Sequence, residues 1–348
     1  MQLPTIDEGL LTKFLVELLK TPSPTGFAEK AVTLTDRVLS NLPGVTTRRT
    51  PKGGLMISLP GEHDDAPRAL TAHVDTLGAM VKAIKPNGRL MLTNIGGVVW
   101  NTVETEGCTI YTRVGKRFRG SIMVTTASIH VFGAKLGETK RDQDNMEVRL
   151  DERVTTAAET MKLGISVGDF VSFDPRVELT NGFVRSRHLD DKACVACLVE
   201  ALRCLTSAGI KPLQNIHIYI NNYEEFGHIG ISDFPEKITE LLAVDMAAVG
   251  DGQTSDEYHA TLCVKDSSGP YHHGMSKRLR DLGDKFDIPY RVDIYPVYSS
   301  DGSAYWRAGG NMPVALIGPG VDASHNYERT HIDALTATTR WLLAYLLN

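Results

Sequence analysis

Strand-like and helix-like runs alternate at both ends of this chain and stop alternating in the middle. That pattern restricts the fold to an α/β domain carrying a mostly β insertion. Near the start, Ile6, Leu10, Leu11, Phe14, Leu15, Leu18 and Leu19 recur at helical spacing. This helix is predicted to end at Thr21-Pro22-Ser23-Pro24, with a second over 27–39. Short β-rich runs follow at 54–59 and 69–74. Later, helices are predicted at 192–207, 271–287, 302–308 and 334–347, between strands at 215–221, 242–249, 258–264, 290–297 and 314–317. Mixed strand–helix order implies a mixed central sheet flanked by helices on both faces. Between about 79 and 178 the runs are strand-like and separated by turn residues, at 82–84, 90–94, 109–114, 119–124 and 170–173. Pro86-Asn87-Gly88 marks a turn between the first two of them. Insertions of this kind are tolerated at exposed loops. The expected domains are 1–77 with 179–348, and an inserted β-rich module at 78–178.

Composition narrows the function. With 42% hydrophobic and 23% charged residues among 348, the chain is neither collagen-like, coiled-coil nor disordered. The net charge is −5 and no long basic stretch occurs, so no nucleic-acid partner is expected. The apolar run 341–347 falls far short of the roughly 20 residues of a membrane span, and the N-terminal segment reads as an amphipathic helix, not a signal peptide. Five cysteines, an odd number, argue against a disulfide framework and point to the reducing cytoplasm. Cys194 and Cys197 form a lone CxxC beside Ala and Val, and are expected on a buried helix.

Five short segments place metal-type side chains near predicted strand ends. Ala72-His73-Val74-Asp75 closes an apolar run; on an extended segment its HxD spacing puts both side chains on one face, where Asp75 could orient the His73 ring. Arg187-His188-Leu189-Asp190-Asp191-Lys192 opens a helix, where an Asp is ordinarily a cap. Tyr223-Glu224-Glu225-Phe226-Gly227 follows the strand IHIYINN. Adjacent strand residues face opposite ways, so both glutamates can serve one site only if the chain turns, and Gly227 allows a turn. Asp245 interrupts the apolar run LLAVDMAAVG, and a carboxylate there must be paired, protonated or bound to metal. Ser324-His325-Asn326-Tyr327-Glu328 follows the Gly/Pro-rich stretch GPGVDA, expected to be a loop. Active sites of open α/β sheets form at the carboxyl ends of strands. A nitrogen/oxygen donor set without thiolates suits Zn, Co or Mn. One carboxylate shared by two ions about 3.5–4 Å apart, each completed by a His and an acid, is a dinuclear hydrolase arrangement that leaves one glutamate as general base.

These segments, with their neighbours, resemble the glutamyl-aminopeptidase family of dinuclear metallopeptidases, which includes the tetrahedral aminopeptidases. The pieces PSPTGFAEK, AHVDTLG, AAETMKLGISVGDFV, RHLDDKACVACLVEAL, NNYEEFGHIG, VDMAAVGDG, KDSSGP, YSSDGSAYWRAGG and SHNYERT run in the family's order over nearly the whole chain. The resemblance implies a zinc-exopeptidase-like fold and two divalent metal ions per subunit, zinc first, with cobalt or manganese as alternatives. His73 and Asp245 would hold one ion, Glu225 and His325 the other, with Asp190 bridging; Glu224 would be the catalytic base, with Asp75 also catalytic. It further implies a cis peptide at Asp190–Asp191 and an inserted domain serving assembly into a homo-oligomer, often of twelve subunits. Two stretches depart from the family pattern. Phe226-Gly227-His228-Ile229-Gly230 stands where Val and Leu-Arg-Gly are usual, and Val321-Asp322-Ala323 where Arg-Tyr is common. Both fall where substrate should sit, and His228 reads equally as a substrate contact or a filler.

The expected activity is removal of N-terminal residues from short peptides by metal-activated water. Another dinuclear amidohydrolase, a carboxypeptidase or deacylase, shares the ligand logic and is separated by comparing N-blocked with free-amine peptides. Glycoside hydrolysis by Glu224 and Glu225 would leave both histidines without a role and would resist chelators. A non-enzymatic scaffold with a metal-dependent fold leaves the spare glutamate unexplained.

Overall fold

Alternation of side chains along four strands builds the larger part of the protein, here described from a computed structural model covering residues 2–230, 233–235 and 237–348. The strands Gln214–Asn221, His63–His73, Glu240–Val244 and Val314–Asp322 lie side by side in that order, all parallel. Leu70, Ala72, Ile216, Ile218, Ile220, Leu242, Val244, Ala315 and Ile317 point into one hydrophobic core. The helices Glu8–Leu19, Glu29–Leu39, Leu189–Ser207, His273–Lys285 and Ile332–Leu347 supply most of the rest of that core. Intervening residues Ala69, Tyr219, Leu241, Ala243, Val314 and Leu316 face a second, smaller core shared with Ala304 and Tyr305 of the helix Asp301–Arg307. Carrying this period of two one step beyond Ala243 brings Asp245 to the second face, and two steps beyond Ala69 brings His73 there. The remaining strands of this unit flank the four in a mixed sheet.

Contacts divide the described chain into this unit, residues 1–75 with 176–348, and a second unit, 76–175. In the second, Gly78–Ile84, Leu90–Ile95, Met146–Leu150, Arg117–Val124, Gly107–Tyr111 and Phe170–Phe173 close a barrel in that order. Ala79, Val81, Leu92, Ile110, Ile122, Val148 and Val171 fill it. Closure removes the exposed strand edges a small sheet would otherwise present. The module also holds a helix, Ala157–Leu163, that hydrophobic spacing does not reveal. It is set by a capping box between Thr156 and Glu159 and by Gly164 in the left-handed region.

The Gly/Pro-rich stretch GPGVDA, expected as a loop, is strand up to Asp322, forming the second half of Val314–Asp322, and its residues 320–322 pair in parallel with Ala247–Val249. The reason is close approach of backbones: a Cβ on Gly318 would lie 1.8 Å from the Asp245 carbonyl oxygen. Glycine therefore lets this strand run against the segment that carries Asp245, where any side chain would force the two apart. At the other end of Glu240–Val244, Glu240 pairs with Arg68 at 3.2 Å and with Arg278, and accepts the Tyr345 hydroxyl at 2.8 Å. That carboxylate is buried but fully partnered, the condition under which a buried charge is tolerated. Cys194 and Cys197 lie buried and unbridged on the helix Leu189–Ser207. Among the described residues no helix is long and apolar enough to cross a membrane.

Candidate metal centre

Each of the five segments ends at the carboxyl edge of the parallel strands or beside it. His73 is the last residue of its strand, and Asp245 directly follows Val244, its N–H still donating to Ile317 O at 3.0 Å. Asp190 sits where the helix Leu189–Ser207 begins; it and Asp191 have non-helical backbone angles, and the peptide between them is cis. The two glutamates follow Asn221 in a single 3₁₀ turn, Glu224–Phe226, closed by Gly227 at φ +67°. That turn brings the adjacent side chains to one site, Glu224 toward His73 and Glu225 toward His325, and glycine accommodates the positive φ that ends it. His325 lies in the turn after Asp322 and is itself in the left-handed region.

Asp190 stands between the two histidines. Its Oδ1 is 3.2 Å from His73 Nε2 and its Oδ2 is 3.5 Å from His325 Nε2. Glu224 Oε2 is 3.6 Å from His73 Nε2, and Glu225 Oε2 is 3.6 Å from His325 Nε2. Potential ligand atoms of His73, Asp190 and Asp245 all lie within 4.8 Å of one another, and so do those of Asp190, Glu225 and His325. The structure thus brings together His73, Asp190, Glu225, Asp245 and His325, with Glu224 beside them. The first group is closed in, His73 being 2% exposed, whereas His325 is 39% exposed, so the second group is the more open to solvent.

Charge is crowded here. Burial, then the charge of Asp190, pushes the Glu225 and Asp245 carboxyls up to about 8. Burial also raises Glu224 well above the usual carboxylate range, against the opposing pull of His73. Burial works against ionisation of His325 too, but its hydrogen bond to Asp190 and the charges of Glu225 and Asp190 hold it up at about 10. Asp190 is held low despite burial, because both histidines donate to it. Carboxylates brought this close resist ionising together unless positive charge enters among them. Two sets of nitrogen and oxygen donors sharing Asp190 fit a pair of divalent cations, and such ions would relieve that repulsion.

Asp75 meets His73 through its main chain more closely than through its carboxylate. The closest contact of His73 Nδ1 is the Asp75 main-chain oxygen, at 3.0 Å, while the Asp75 Oδ1 lies 3.5 Å away. The carboxylate also accepts the N–H groups of Glu224 at 3.1 Å and Glu225 at 3.3 Å. Three acids to which sequence patterns assign no role also frame the site. Glu328 accepts the N–H groups of both Asp190, at 3.1 Å, and His325, at 3.0 Å, tying two ligand-bearing segments together. Asp191 Oδ2 accepts the His73 N–H at 3.2 Å. Asp301 accepts the Thr71 hydroxyl at 2.5 Å and the Asn221 amide at 2.6 Å. In the sequence Asp301 lies in the piece YSSDGSAYWRAGG and just precedes the helix predicted at 302–308, where an acid reads as a cap; in the structure Ser300 is the cap. Three basic side chains flank the glutamate turn: Lys52 Nζ lies 4.7 Å over the Tyr223 ring, and His228 packs edge-on to that ring at 6.4 Å. Arg307 completes them, Nη2 lying 3.5 Å from where a Gly227 Cβ would be.

Comparison with known proteins agrees in sequence and in shape. The profile of the M42 glutamyl aminopeptidase family matches residues 53–341. The chain is 48% identical over 335 residues to a Bacillus subtilis (strain 168) protein named "Putative aminopeptidase YhfE", covering 96% of each. Its fold is similar to that of aminopeptidase APDkam598 from the archaeon Desulfurococcus kamchatkensis, with a TM-score of 0.86 and 21% identity over 98% of this chain and 95% of that one. It is also similar to the Pyrococcus horikoshii TET1 peptidase, which can assemble into a tetrahedron or a large octahedral shell, with a TM-score of 0.82 and 18% identity over 97% and 99% of the two chains. The chain belongs to the M42 glutamyl aminopeptidase family and is an aminopeptidase-class hydrolase.

Proposed function

We propose that this protein removes N-terminal residues from short peptides with two divalent cations and Glu224 as general base. The observation that carries this reading is the position of Asp190, with one carboxylate oxygen toward His73 and the other toward His325. His73, Asp190 and Asp245 would hold one ion, and Asp190, Glu225 and His325 the other. When bound, the ions supply Lewis acidity that makes water a nucleophile near neutral pH and offsets charge on the carbonyl oxygen. Glu224 takes the proton of the attacking water and delivers it to the leaving amine. Its position suits both halves of that task, since its carboxylate lies beside His73 in the same turn as Glu225 while belonging to neither donor group. Asp75 fixes the direction of the glutamate turn through its two N–H bonds. Glu328 and Asp191 keep the ligand-bearing segments in register. The acidic floor of the cleft offers the free α-amino group of a peptide a negative partner, which accounts for cleavage from the N-terminus.

Lys52, His228 and Arg307 give the glutamate turn a basic rim, which favours acidic N-terminal residues. Zinc suits the donor set, with cobalt or manganese as alternatives. Five free, buried cysteines suit the cytoplasm. Assembly of a homo-oligomer falls to the barrel unit, on which Ile129, Val131 and Phe132 are exposed.

A fluorogenic aminoacyl panel tests the reading. Free-amine substrates should be cleaved and N-blocked ones left intact, with activity abolished by chelator and restored by zinc, cobalt or manganese. Glutamyl and aspartyl substrates should exceed leucyl ones. Arg307→Ala should cut kcat/KM for the acidic substrates by about 10–100-fold, the worth of a charge-assisted hydrogen bond, and leave leucyl turnover nearly unchanged. Cleavage of blocked peptides, or full activity in chelator, would refute the assignment.

A further inference from the structure

We propose that Thr25 is a positioning residue for the glutamate pair, acting through the Asp75 carboxylate; this rests on the roles given to Glu224 and Glu225 above. Thr25 lies in the segment between the first two helices, far from either glutamate in sequence. It is buried, and its hydroxyl donates to Asp75 Oδ2 at 2.7 Å. The same oxygen accepts the Glu225 N–H, while Oδ1 accepts the Glu224 N–H.

Those two N–H groups leave consecutive residues of one 3₁₀ turn, so the plane of one carboxylate decides whether both are met. A competitor is at hand, since His73 Nδ1 is 3.5 Å from Oδ1. Rotating the carboxylate toward that nitrogen would shift it off the turn. The Thr25 hydroxyl, bound on the far oxygen, opposes the rotation. Its own segment is anchored on both sides. The Ser23 hydroxyl donates to Val74 O at 2.7 Å, on the chain between His73 and Asp75, and Lys192 Nζ donates to Thr21 O at 2.7 Å from the helix that carries Asp190. The Phe27 N–H closes the turn on Pro24 O at 2.7 Å. Thr25 therefore reaches Asp75 from a segment tied to the elements bearing two proposed ligands. Hydroxyls that set the direction of a carboxylate behind a metal site act on affinity and rate together.

The experiment compares Thr25→Val, which keeps the shape and removes the hydroxyl, with Thr25→Ser, which keeps the hydroxyl. Thr25→Val should lower kcat about 10–100-fold and weaken zinc binding, measured by competition with a chromophoric chelator, by a similar factor. KM should stay within about threefold, because substrate contacts are untouched. Thr25→Ser should restore both quantities. A crystal structure of Thr25→Val without metal should show the Asp75 carboxylate turned and the Glu225 N–H bond lost. If Thr25 served folding alone, melting temperature would fall while kcat and zinc affinity of the folded protein stayed at wild-type values, and the proposal would be overturned. It would equally be overturned if folded Thr25→Ser lost as much as Thr25→Val. Should Thr25→Val fail to fold, Thr25→Ala takes its place, with the same losses expected relative to Thr25→Ser, and wild-type kcat and zinc affinity in Thr25→Ala would overturn the proposal. Failure of the underlying reading looks different: Glu224→Gln would then stay active, whatever the Thr25 variants do.

Discussion

Asp190→Ala should lose both cations, and with them at least about 10³-fold in kcat/KM, the equivalent of the several kcal/mol that metal ions contribute to such transition states. The expectation follows from geometry. Asp190 is the one residue common to both donor groups, so removing it takes a ligand from each ion at once. Removing His325 or Asp245 should weaken one ion more than the other. Elemental analysis after dialysis distinguishes these outcomes, and circular dichroism confirms that the variant folds. Asp190→Asn refines the test: it keeps the shape and halves the ability to serve two cations, since an amide offers one carbonyl oxygen where the carboxylate offers two. Wild-type metal content in Asp190→Ala would remove the bridging role.

Glu224→Gln should behave in the opposite sense, keeping both ions while kcat falls by about 10²–10⁴-fold, the usual worth of a positioned general base. Gln matches Glu in size, so the 3₁₀ turn and its bonds to Asp75 should persist. KM should change little, because the lost interaction is one made during proton transfer. The contrast with Glu225 is informative, for the two are neighbours in one turn yet face different partners, His73 for Glu224 and His325 for Glu225. Glu225→Gln should lose metal as well as activity. If both variants lost metal equally, Glu224 would be a ligand and the base would have to be sought elsewhere.

Much of this arrangement is legible in the order of the amino acids. Period-two patterning marks the core strands, and an acid inside LLAVDMAAVG must be paired, protonated or bound to metal, which singles out Asp245. Glu224 and Glu225 stand out as a pair because Gly227 permits a turn. Contacts made across long stretches of chain are hidden from such patterns. No spacing rule links Thr25 to Asp75, or Asp75 to the glutamate N–H groups; these follow only from which strands become neighbours. Glu328 is a similar case, as its place in SHNYERT is visible but the two hydrogen bonds it accepts from the Asp190 and His325 backbones are not. The GPG stretch misleads because glycine usually signals a turn, whereas here it allows one strand to press against another at Asp245. The strand Met146–Leu150 gives little pattern of its own, being short and set in a polar neighbourhood, and is held by its partners in the barrel.

Anomalous diffraction from crystals of the zinc-loaded protein tests the shared-ligand claim most directly. Two zinc peaks should flank the Asp190 carboxylate, one in contact with His73 and Asp245 and the other with Glu225 and His325. A single peak, or zinc bound with Asp190 left uncoordinated, would contradict it.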